Sequence, residues 1–151
     1  MFSGISQHSK ENNYIVFSVF NKKNTHDLNF ELHESMYRQL KSNGIPFKEV
    51  RGVYKNEEEL SFVTEYNFNL LNTVIVEYNQ QSVLFLQNHK HGLYEATLVF
   101  KNKRENIGYF RQVSKEVAQK QDSYTRDGDN YYICTESDAT TADELTKLGL
   151  K

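Results

Sequence analysis

From Tyr14 to Leu86 the apolar pattern alternates between a period of two and a period near four, in the order strand, helix, strand, strand, helix, strand. That order is the split βαβ signature of a ferredoxin-like domain, and it constrains the chain more than any single motif. Tyr14 to Phe20 (YIVFSVF) is nearly continuously apolar, as a central strand covered on both faces should be. Leu28, Leu32, Met36 and Leu40 recur every four residues with Tyr37 beside them, capped by Asp27 or Asn29 and stopped by Gly44 and Pro46. Phe47 to Tyr54 and Glu59 to Glu65 read as a hairpin, with Gly52 suggesting a bulge or a close backbone approach. Alternation turns Leu60, Phe62 and Thr64 to one face and Glu59, Ser61, Val63 and Glu65 to the other. Asn67 or Asn69 can cap a second helix through Leu70, Leu71, Val74, Ile75 and Tyr78, and Ser82 to Leu86 supplies the fourth strand.

Beyond residue 87 the pattern becomes mainly β. Leu93 to Phe100 and Ile107 to Val113 predict a second hairpin, Ser114 to Gln121 a short helix, and Tyr131 to Cys134 a last strand entered through the Asp127-Gly128-Asp129-Asn130 turn. The expected fold is α+β: a single ferredoxin-like βαββαβ core with a mainly antiparallel sheet, extended by a C-terminal β-hairpin and strand. Residues 1–151 then form one domain: a polar segment 1–13, the core 14–87, a β extension 88–135 and an acidic tail 136–151.

Ten Tyr and ten Phe, with no Trp, must supply much of the core volume. A net charge of −2 argues against a surface dominated by attraction to phosphate backbones. Charge is nonetheless split: residues 101–120 carry six basic against two acidic residues, and residues 121–151 carry three against seven. The single Cys134 excludes an intrachain disulfide and, in its apolar run, reads as a buried small hydrophobe in a reducing compartment. No secretory or membrane-spanning run is visible, so a cytoplasmic protein is expected, without membrane attachment.

No phosphate-binding glycine loop, nucleophile elbow or two-histidine phosphoesterase pair occurs, and no cofactor is implied. His89 and His91, with Glu95 nearby, lack the further spacing of a zinc site, so no metal is expected. Glu57-Glu58-Glu59 reads as a solvated turn. Leu60-Ser61-Phe62-Val63 resembles the centre of an RNA-recognition motif, with Val16-Phe17 on the first strand as its companion. Glu58 and Glu59 stand where that motif has a basic residue and Gly, and carboxylates repel phosphodiesters. A second nucleic-acid patch is conceivable at Lys101, Lys103, Arg104 and Arg111 with Tyr109 and Phe110. The polar set Asn29, Glu59, Ser61 and Gln81, beside apolar runs, would form a ligand pocket if it converged.

Gly52-Val-Tyr54, Glu59-Leu-Ser61-Phe62 and Tyr78-Asn-Gln80-Gln81-Ser82-Val-Leu84 resemble small proteins of T-even-type and related tailed bacteriophages, over residues 20–90. The resemblance implies an early, cytoplasmic protein made in an infected bacterium and carries no catalytic residues with it. The expected function is a non-enzymatic protein-binding module engaging a host or phage protein through Lys101, Lys103, Arg104, Tyr109 and Arg111. The alternatives are a small-ligand binder or enzyme with a polar pocket at Glu59, Ser61 and Gln81, or a single-stranded nucleic-acid binder.

Overall fold

Eight segments rich in β-branched and aromatic residues form strands in a computed structural model, which describes residues 2, 5, 13–90 and 92–150. They are β1 (Asn13–Phe17), β2 (Phe47–Tyr54), β3 (Glu57–Glu65), β4 (Ser82–Lys90), β5 (Leu93–Phe100), β6 (Arg104–Val113), β7 (Ser123–Asp127) and β8 (Asn130–Thr135). All pair antiparallel, in the closed order β1-β3-β2-β7-β8-β6-β5-β4. Helix α1 (His26–Ser42) follows β1, α2 (Phe68–Val76) follows β3, α3 (Lys115–Gln119) follows β6, and α4 (Ala142–Lys147) lies beyond β8.

The pleat sorts the side chains into layers. Tyr14, Val16, Val50, Val63, Leu86, Ala96, Phe110 and Tyr132 turn inward and pack as the barrel's lumen. The other face of β1, β3, β4 and β5 presents Ile15, Phe17, Phe62, Val83 and Val99 to Met36 and Leu40 of α1 and to Leu71, Val74 and Ile75 of α2. On the far side Val117 and Ala118 of α3 cover Tyr131 and Ile133 of β8. The helices begin at side-chain caps: the Leu28 N–H donates to Thr25 Oγ1 and the Leu70 N–H to Asn67 Oδ1. Thr25, not Asp27 or Asn29, therefore caps α1.

This overturns the ferredoxin-like expectation of an open sheet with an extension. The first four strands do lie in the order β4-β1-β3-β2, but β2 also pairs with β7, from Arg51↔Arg126 to Tyr54↔Ser123, and the chain from β5 to β8 completes a circuit. Closure satisfies the backbone groups that two open edges would leave unpaired. The register of β2 and β3 is regular through Gly52, with no bulge. The irregular sites are Asn88/Lys90 and Ala96/Thr97. No helix among the described residues is long and apolar enough to cross a membrane.

Candidate active site

Glu59 and Ser61 lie on the inward face of β3, opposite Gly52 and Val50 of β2. Ser61 is buried and Glu59 half-buried. No hydrogen bond or ion pair engages the Glu59 carboxylate among the described residues. A half-buried carboxylate without a partner gives up much of its hydration and recovers it only from a ligand or water. Across from it, a Cβ on Gly52 would sit 3.7 Å from Ser61 Oγ and 3.8 Å from the Glu59 carbonyl oxygen. The glycine thus leaves room for about one methyl group beside the site.

The chain around this end of the barrel is tied down. β1 finishes at Phe17, opposite Phe62, so residues 18–21 leave the sheet next to Ser61. The Asn21 N–H donates to Asn29 Oδ1 (2.9 Å), and Asn29 Nδ2 donates back to the Asn21 carbonyl (3.1 Å). Gln80 Nε2 donates to the Phe20 carbonyl (2.8 Å), fastening the same loop to the α2–β4 turn. Asn29 is therefore a buried staple whose amide is committed. Gln81 is exposed, on the far side of β1 from Glu59. Of the four polar residues singled out from the sequence, Glu59 and Ser61 come together, Asn29 supports their rim, and Gln81 stands apart.

The hairpin residues divide as well. Lys101, Lys103 and Arg104 are exposed at the β5–β6 turn, on the Glu59 end of the barrel, where they border a groove of about 410 Å³ with Phe68, Asn72 and Val76. Lys103 Nζ lies 4.9 Å from the Phe100 ring centre, and the Arg104 guanidinium lies 5.9 Å from that of Phe85. Tyr109 is on the outer face of β6, its ring 4.9 Å from that of His89. Arg111 is buried, with Nε on Thr135 Oγ1 (3.0 Å), one terminal nitrogen on the Ala139 carbonyl (2.6 Å) and the other on the Ser137 carbonyl. It clasps the chain's own segment after β8 and does not face a partner.

Several other readings are corrected. Phe17 and Phe62 are buried 5.6 Å apart, with the His33 ring stacked on Phe62 at 4.2 Å, so neither can stack a base. Cys134 is solvent-accessible as a residue, yet its thiol is desolvated and pushed up to about 11, leaving it protonated and unreactive at neutral pH. Among the described residues no three His, Cys, Asp or Glu side chains are placed to hold a metal. His89 sits on β4, 3.2 Å from Asp138, whereas His91 lies outside the described residues. The structure also adds a pair that no sequence spacing signals: His33 Nε2 is 3.0 Å from Glu49 Oε2, joining α1 to the outer face of β2.

Glu59 and Ser61 thus lie at the same end of the barrel as Lys101, Lys103 and Arg104, while the groove those cations border is walled by Phe68, Leu71 and Val76 of α2 and is not lined by Glu59. Residues 15–135, about four-fifths of the chain, match the S-adenosylmethionine lyase family, and the chain belongs to that family. Among curated proteins none matches the chain. Membership in a lyase family overturns the expectation of a non-enzymatic protein-binding module, and the enzyme alternative stands closer to the finding.

Proposed function

We propose that this chain is a lyase that breaks a carbon–sulfur bond of S-adenosylmethionine, with the substrate held at the Glu59 end of the barrel. The family match over residues 15–135 is the observation that carries the reading. The ligand's chemistry fits the site's charges: a sulfonium and an ammonium are cations, and the amino-acid carboxylate is an anion. Glu59 offers the ammonium a carboxylate that no described residue engages, while Lys101, Lys103 and Arg104, bordering a groove at the same end of the barrel that Glu59 does not line, offer the anion its complement. With β1 and β4 between them, β3 and β5 are roughly 14 Å apart at about 4.8 Å per strand, within reach of one extended substrate.

The bond's electron pair stays on sulfur, which leaves as a neutral thioether. The carbon side is completed within the substrate, by loss of a neighbouring proton or by closure of its own carboxylate. Either route removes positive charge from sulfur, so apolar surroundings that exclude water favour it. A carboxylate pressed against the sulfonium would stabilise the starting cation more than the transition state. Glu59 therefore acts on the ammonium, whose charge does not change in the reaction, with Ser61 beside it. The resemblance of residues 20–90 to tailed-phage proteins supports an infected bacterial cell as the setting.

Incubating the purified chain with S-adenosylmethionine and separating the mixture by chromatography with mass detection tests the reading. Loss of substrate with one equivalent of adenosyl thioether is expected. No conversion by folded protein at stoichiometric concentration would sink it.

A further inference from the structure

The opposite end of the lumen is lined by aromatic rings that the Glu59 site does not use. Tyr14, Tyr94, Phe110 and Tyr132 face inward there from four strands, and the Phe110 and Tyr132 rings stack at 5.3 Å and 5°. Phe2 lies over them, 4.1 Å from the Tyr14 ring centre at 21° and 4.6 Å from that of Tyr94. Phe2, Gly92, Tyr94, Phe110, Gln112 and Tyr132 line a cavity of about 230 Å³ that opens to solvent beside the exposed Gly92 and Gln112. Because Phe110 and Tyr132 are almost fully buried, its inner wall is fixed by packing.

The dimensions and lining restrict the occupant. The space left beside the Phe2 ring falls below the roughly 300–1,000 Å³ of sites for drug-sized ligands, so a planar ring fits where Phe2 yields its place and a whole cofactor does not. Gln112 Nε2 is committed to Asn130 Oδ1 at 3.1 Å, which leaves its carbonyl oxygen to accept from an exocyclic amine, the edge an amide side chain recognises on adenine. Arg111, the cation bordering the cavity, is consumed by Thr135, Ser137 and Ala139, so a phosphate finds no counter-charge from it. The packed middle of the lumen, with Val16, Val50, Val63, Leu86 and Ala96, separates this slot from Glu59.

We propose that the slot is a second ligand site, taking the purine ring of an uncharged nucleoside, with Phe2 as the chain's own competing occupant. The choice of an adenine-type ring rests on the lyase reading, because the thioether released from S-adenosylmethionine is an uncharged adenosine derivative. Product held in the slot would displace Phe2, so the site would report product level at the end of the barrel remote from the chemistry.

Ten tyrosines and no tryptophan make intrinsic tyrosine emission a direct readout, with calorimetry as its companion. The full chain is titrated with adenosine, adenosine monophosphate and uridine, with no S-adenosylmethionine present. Adenosine is expected to bind in preference to both others. Phe2→Ala should tighten it about tenfold by removing the internal competitor, and Phe2→Trp should weaken it. Should Phe2→Ala fail to fold, Phe2→Trp decides: weaker binding supports the proposal and unchanged binding overturns it. Absence of adenosine binding, or equal binding of uridine, also overturns it. Turnover without adenosine binding removes the slot alone, whereas adenosine binding without turnover removes the lyase reading and leaves the slot.

Discussion

Glu59 and Arg111 are both ionisable side chains withdrawn from solvent, one half-buried and one buried, and the difference between them is what each one touches. Among the described residues Glu59 has no partner, so its interaction energy is available to a ligand. Replacing it by Gln keeps the volume and removes the charge, which should lower kcat/KM by about 10- to 100-fold, the worth of one charge-assisted hydrogen bond of roughly 1.5–3 kcal/mol. If Glu59 holds the ammonium, the loss appears chiefly in KM, and steady-state kinetics checks this. A loss confined to kcat would instead assign Glu59 to the bond-breaking step. Gly52→Ala probes the neighbouring space: its Cβ meets only ordinary contacts, so the melting temperature should stay near that of the parent while KM rises. Arg111→Ala, by contrast, strands the carbonyls of Ser137 and Ala139, and a loss of about 2–3 kcal/mol in urea unfolding is expected, with faster proteolysis after residue 135. Alternation alone placed Glu59 and Ser61 on one face of β3. The commitment of Arg111 was not legible, because its acceptors lie 24 to 28 residues away in sequence.

At the scale of elements, the same physics decides which strands announce themselves. β1, β4 and β5 have apolar residues on both faces and stand out in the sequence. β7 is five residues long, Ser-Tyr-Thr-Arg-Asp, with no fully buried side chain, and its pattern is that of a loop. Yet β7 is the strand that pairs with β2 and closes the barrel, so missing it turns a closed barrel into an open sheet. In α1 the stripe seen at Leu28, Leu32, Met36 and Leu40 is rotated in the fold. The buried positions are Asn29, His33, Met36 and Leu40, while Leu28 and Tyr37 are exposed. Polar residues on the inner face hid it: Asn29 serves the loop at Asn21, and His33 serves Glu49. Gly108 shows how tightly the strands meet at the β5–β6 irregularity. Its φ is +106°, and a Cβ there would lie 2.1 Å from the Thr135 carbonyl oxygen. Gly108→Ala combines backbone strain with a clash against backbone, and should cost about 3 kcal/mol or more. Thermal unfolding monitored by circular dichroism checks this, and a shift under about 3 °C would show that β6 and β8 can separate without penalty.

The whole molecule closes its sheet around a lumen walled by aromatic rings, and that arrangement sets its response to alkali. Burial holds the phenols of Tyr94 and Tyr132 above their ordinary value of 10.0, with neighbouring Tyr14 and Asp127 adding to it, and pushes the Cys134 thiol from 9.0 to about 11. In each case the unfolded chain releases its proton first, so the unfolded state gains as the pH rises. The stabilisation these groups give is complete below about pH 9 and is lost progressively through the thiol and phenol range, until the folded groups ionise as well. The urea midpoint should therefore hold steady between about pH 7 and 8.5 and fall steeply by about pH 10.5. Cys134→Ser should remove the earlier part of that fall and Tyr132→Phe the later part, because each replaces a titrating group by one that does not ionise in this range. A midpoint unchanged to about pH 10.5 would mean that these side chains exchange freely with water in the folded state, and the lumen would then be wet instead of packed.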